Sequence, residues 1–147
     1  MILLSERPYA VERWPVNVQS PNERRPSRVD DGGEVPHLTV LVALSTAGDS
    51  INALEGKVVW PSAKLELVAV EDEFSIVSFW IRSPVVTTAG AGDLTFAGLI
   101  PGGYSEPTGQ ILSLMFRARA AGRAVVTLTD AQVLLADGEA TPAPLTI

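Results

Sequence analysis

A chain of 147 residues with 46% hydrophobic and 19% charged residues has the size and balance of one folded domain around a single core, not of a disordered segment. Its formal charge of −6, with a pI near 4.7, sets an average field that repels nucleic acid and anionic lipid. Cysteine is absent, which excludes thiol catalysis, Cys-ligated zinc and disulfides while leaving the redox compartment open.

The chain begins MILLSERPYAVERWP, where four apolar residues precede Ser5, too few for the apolar core of a signal peptide or for a membrane span. No membrane insertion is expected, and the leader of an exported protein would lie upstream. Residues 1–35 hold Pro8, Pro15, Pro21 and Pro26, with polar clusters SPNERRPSR and DDGGE between them. Proline at that density removes backbone donors and biases each preceding residue toward extended geometry, which excludes long helices. This segment is expected to be a Pro-rich tether, with YAVERW or VNVQ contributing an edge strand to the sheet built by the rest of the chain.

Residues 36–147 read differently, as short β-rich runs broken by Gly, Pro and small polar residues at the even spacing of an antiparallel sandwich. Strands are predicted over 38–45, 53–60, 64–70, 75–81, 93–99, 110–119, 124–129 and 131–136. The clearest alternation is in 110–119, which puts Leu112, Leu114, Phe116 and Ala118 on one face and Ser113, Arg117 and Arg119 on the wet one. No segment keeps a helical period over ten residues, so the strand-helix alternation of a nucleotide-binding α/β fold is absent. The expected class is all-β.

His37 is the only histidine, so a His-rich metal site is excluded, and its place at a strand start beside Pro36 suits a surface position. TAGAGDLTF and PGGYSEPTG are Gly-rich, but neither ends in Lys-Ser or Lys-Thr or leads into a helix, so both read as turns and not phosphate loops. Glu71, Asp72 and Glu73 read as a solvated turn; a structural calcium ion is possible there, but no Asp-x-Asp-x-Asp loop indicates one, and no cofactor is expected. Trp80, in IVSFWI, reads as core; Trp60, before Pro61, reads as half exposed; Trp14 lies in the tether.

Three pieces in order carry a family resemblance: NALEG followed by a strand and P-S-x-K-L; F-x-G-x-x-P-G-G at 96–103; and G-x-I-L-x-L-x-F-R-A-R-A-x-G at 109–122. Over residues 36–140 the chain resembles a cohesin domain, the dockerin-binding module of cellulosomes, and more closely the cohesin-like domains of exported bacterial and archaeal proteins. The resemblance implies a jelly-roll sandwich of about nine strands, a non-catalytic docking role and an extracellular or cell-surface location. In that family a sheet face around the second of these strands meets the partner through an Asn-x-Asp pattern. Ala53-Leu54-Glu55 stands there, and Glu55 is the residue carried over as partner-binding.

The main expectation is a protein-interaction module docking a dockerin-like partner. The alternatives are a carbohydrate-binding module on the same fold, using Trp60, Tyr104 and a third ring on polysaccharide, and a structural spacer or adhesin domain. A first strand missing from the sandwich would expose a pairing edge, and dimerisation through that edge is a corollary.

Overall fold

Strands form wherever apolar residues recur at every second position, because that spacing gives each strand one dry face and one wet face. The computed structural model describes residues 2–6, 37–86 and 90–145. Eight strands are present among them: β1 (Ile2–Glu6), β2 (His37–Ser45), β3 (Ile51–Val59), β4 (Leu65–Glu71), β5 (Phe79–Val86), β6 (Asp93–Tyr104), β7 (Thr108–Ala118) and β8 (Thr127–Leu135). All pair antiparallel, in one sheet of order β1-β2-β7-β4 and another of order β5-β6-β3-β8. No described residue is helical, so no helix there is long and apolar enough to cross a membrane.

The two sheets close on one core. Val40, Val42 and Leu44 of β2 lie opposite Leu114, Leu112 and Gly109 of β7, so the inward row read from 110–119 is the inward row of the structure. Phe96 and Phe116, both fully buried, face inward from different sheets, and each such ring contributes about 1.5–3 kcal/mol of burial. Gly56 makes room for this packing: a Cβ there would stand 2.8 Å from the Phe96 ring. On the other face of β7, Ser113 is nearly buried, not wet, between its cross-strand neighbours Leu41 and Glu71.

Ile2–Glu6 pairs with β2 as an edge strand, and YAVERW and VNVQ, expected to supply one, lie outside the described residues. Three expectations differ from the structure. The run 75–81 is not one strand. Its first half crosses between the sheets, the Ile76 amide donating to the Gln110 carbonyl (2.9 Å) and the Ser78 amide to that of Leu99 (3.0 Å), and β5 begins at Phe79. β6 continues through Pro101, Gly102 and Gly103, the two glycines bending it at φ 88° and 84°, so the turn shrinks to Ser105–Pro107. The predicted strands 124–129 and 131–136 are one strand, β8, whose Asp130 has a positive φ of 50° beside a register shift opposite Glu55 and Lys57.

The antiparallel order places loops 46–50, 72–78 and 105–107 at one end of the sandwich, here the upper end. Loops 60–64 and 119–126 lie at the lower end. β4 and β5 are sheet edges on the same flank, each interrupted by bulges, and Pro84 in β5 removes a further donor.

Candidate partner-binding face

The outer face of the β5-β6-β3-β8 sheet is built from residues that alternate with the core rows. Leu54 and Val58 of β3 point inward and are buried, which turns Ala53, Glu55 and Lys57 outward. Register then aligns three outward rows across the sheet: Phe79, Leu99, Ala53 and Leu134; then Arg82, Ala97, Glu55 and Gln132; then Val85, Thr95, Lys57 and Thr129. The small side chains of Ala53 and Ala97 in the first two rows leave a shallow hollow of about 190 Å³, ringed by Glu55, Ile81, Gln132 and Leu134.

Its flank is unusually apolar for an outer face. Phe79 is 61% exposed and Ile81 63%, both on β5. Glu55 stands half-buried on the ring of the hollow, and its carboxylate makes no hydrogen bond or ion pair with another described residue, so it remains an acceptor for an incoming donor. Lys57, two residues on, is occupied by Asp93 at 3.4 Å. The backbone groups of the two central strands, β3 and β6, are committed to the ladder, so recognition here falls to side chains on a rigid support.

The other singled-out residues lie elsewhere. Trp60 is 6% exposed and packs edge to face on Phe116, ring centres 5.2 Å apart, so the expected half-exposed ring is a core ring. Tyr104 is half-buried at the upper end of β6, its hydroxyl donating to the Thr108 carbonyl at 2.6 Å. Trp60 and Tyr104 therefore stand at opposite ends of the sandwich and share no platform. Trp80 is half-buried instead of fully enclosed: its ring meets Phe96 edge to face while its indole N–H donates to Asp72 at 2.9 Å. His37 is exposed at the first position of β2. Among the described residues no three imidazole or carboxylate groups gather to hold a metal.

On the other sheet, Glu66 of β4 accepts hydrogen bonds from Arg117 Nε at 2.8 Å and from Arg117 Nη2, and a longer one from Arg119 Nη2 at 3.4 Å. The Arg117 hydrogen bond, more than any other influence, holds the Glu66 carboxyl below the usual glutamate range. Asp137 is lowered likewise, by its hydrogen bonds from Thr141 and then the Glu139 amide, which lock the turn after β8. Both groups are structural ties, and neither borders the Glu55 hollow.

The sequence pointed to Glu55 through the family pattern but missed Phe79 and Ile81. In SIVSFWI both faces read as apolar; the only signal was the alternation that begins at Phe79.

An all-β sandwich with a rigid, partly apolar outer sheet face is thus what the coordinates define. Among solved structures it is similar to cohesin modules. The sixth cohesin of scaffoldin B from Acetivibrio cellulolyticus, solved in complex with a Cel5 dockerin mutant, matches with a TM-score of 0.58 at 18% identity, over 75% of this chain and 82% of that one. A non-cellulosomal cohesin from the archaeon Archaeoglobus fulgidus matches with a TM-score of 0.59 at 15% identity, over 76% and 75%. A cohesin module of a family 33 glycoside hydrolase from Clostridium perfringens matches with a TM-score of 0.57 at 10% identity, over 76% and 81%. The chain has the cohesin fold. No family model matches its sequence, and no curated protein matches it.

Proposed function

We propose that the chain is a non-catalytic protein-interaction module that docks a dockerin-like protein on the outer face of β5-β6-β3-β8. The observation that carries this reading is the hollow beside Glu55, with an open carboxylate on its ring and exposed Phe79 and Ile81 at its flank. Exposed large apolar groups beside a fixed hydrogen-bonding residue suit a protein partner, whose own apolar side chains fill the hollow while a donor meets Glu55. Structural neighbours solved as complexes with dockerins support the same class of partner. An extracellular or cell-surface location goes with this role. The carbohydrate-binding alternative has little to stand on once Trp60 is enclosed, and it serves as the opposing arm of the test.

The test is calorimetric titration of the chain with a panel of dockerin modules and, in parallel, of soluble polysaccharides. One dockerin is expected to bind, and Glu55→Ala and Ile81→Asp are each expected to weaken it about tenfold or more while the melting temperature stays within a few degrees. Equal binding by wild type and both variants, or binding confined to polysaccharide, would overturn the reading.

A further inference from the structure

The sheet that carries the Glu55 hollow is closed to a partner strand at both edges. β5 is interrupted by register shifts at Trp80/Arg82 and Arg82/Val85, and Pro84 offers no amide hydrogen. At the opposite edge the chain's own residues 141–143 lie against β8: the Leu135 amide donates to the Thr141 carbonyl and the Ala143 amide to the Val133 carbonyl, both at 2.8 Å, and Leu134 bridges Pro142. With both edges occupied or broken, a partner meets this sheet on its outer face and through side chains.

Unpaired charge on that face is sorted by strand. Lys57 and Asp93 occupy each other at 3.4 Å. Arg82 on β5 is exposed, and its guanidinium makes no hydrogen bond or ion pair with another described residue. The carboxylates of Glu55 on β3 and of Asp130, exposed in the β8 bulge beside it, are equally open among the described residues. Register sets Arg82 opposite Ala97 and Ala97 opposite Glu55, so cation and acid stand two strand spacings apart, about 10 Å along one row, with a single methyl side chain between them. Phe79 and Leu99 in the neighbouring row, and Ile81 beside Arg82, supply the apolar surface around the pair.

We propose that Arg82 is a charge-selecting residue of the docking face: it takes an acidic side chain of the partner protein while Glu55 takes a basic one, with an apolar residue of the partner between them over Ala97. Two positions seven apart on one face of an α-helix are separated by about 10.5 Å, and a residue three or four along lies between them, so one helix meets the charged row and the hollow together. The whole chain, at −6, repels an acidic partner, and on this face Arg82 is the cation that no described acid neutralises, which makes it the group that steers such a partner in. The inference rests on the docking reading and adds to it the sign of the charge that the β5 side admits.

Stopped-flow association of the full chain with the dockerin module that binds it most tightly in the calorimetric panel, from about 0.05 M to about 1 M salt, tests this. Arg82→Glu is expected to slow association about tenfold or more at the lowest salt and Arg82→Ala by less, both differences shrinking toward none at the highest salt. Arg82→Lys keeps the charge and is expected to stay within about twofold of the wild type, with the melting temperature of all three variants unchanged. When the exposed acids of that dockerin are replaced by Lys one at a time, one replacement is expected to restore fast association with the Arg82→Glu chain. A dockerin weakened by Glu55→Ala and Ile81→Asp but indifferent to Arg82→Glu, a slowing that does not change with salt, or faster association by Arg82→Glu would overturn this inference and leave the docking face standing. A panel without a binder, or a binder indifferent to all three positions, would overturn the docking reading and this inference together.

Discussion

Glu66 shows how a single exposed carboxylate ties pH to stability. Arg117 holds its folded-state pKa below the ordinary 4.5, so the folded chain binds that proton less readily than the unfolded one. Its stabilising contribution is complete above pH 4.5 and disappears as pH falls through the lowered folded value. Glu66→Gln is therefore expected to flatten the acid limb of a plot of melting temperature against pH below about 4.5, with a small loss at neutral pH because the pair is solvent-screened; an acid limb as steep as the wild type's would count against it. Trp60 makes a larger prediction. Its ring rests on Phe116 in the core, so Trp60→Ala should lose about 3–5 kcal/mol in urea titration, whereas a surface sugar platform would lose little. The sequence misplaced this ring because Pro61 marks a strand end without saying that the Trp60 side chain turns inward. Glu55 was legible as a binding residue only through the family pattern: strand alternation turns it to the wet face with Lys57 but does not say that this face meets a partner.

At the scale of elements, β7 was readable because Leu112, Leu114 and Phe116 keep the inward row, although Ile111 and Ser113 at the alternate positions are buried as well, and β2 because Leu38, Val40, Val42 and Leu44 repeat at every second residue. The misreadings fall where local chemistry and tertiary pairing disagree. Asp130 reads as a break, yet β3 holds both halves of β8 in one ladder and absorbs the extra residue as a bulge. Pro101, Gly102 and Gly103 read as a turn, yet β6 runs through them and Ile51 pairs with Tyr104 beyond. Ser75 to Ser78 read as strand because Ile76 and Val77 are apolar, but their hydrogen bonds join different sheets. β1 escaped notice because five residues are too few to show a period. Its pairing with β2 predicts that removing residues 1–6 lowers the melting temperature and uncovers the β2 backbone. Time-dependent aggregation of the truncated chain, followed by light scattering, is the expected outcome; a truncated chain as stable and as soluble as the intact one would show that β1 contributes nothing.

For the whole molecule, composition alone bounded the answer well: one core, an acidic surface and no thiol chemistry follow from counts. The same counts predict solution behaviour. The chain carries −6 at neutral pH and loses its net charge near pH 4.7, so light scattering at fixed concentration should peak around that pH and subside on either side. A flat profile would mean that net charge does not govern colloidal behaviour.

The order of strands within the sheets has a kinetic consequence. β2 is zipped to β7 and β3 to β8, so in each layer a strand made early waits for one made some seventy residues later. Loop closure over that span must precede any reward from side-chain contact, which places such a topology among slow folders, in milliseconds to seconds. A nascent chain of this kind can pair β5, β6 and β3 once residue 104 has been made, but neither layer is complete until β7 and β8 have been synthesised.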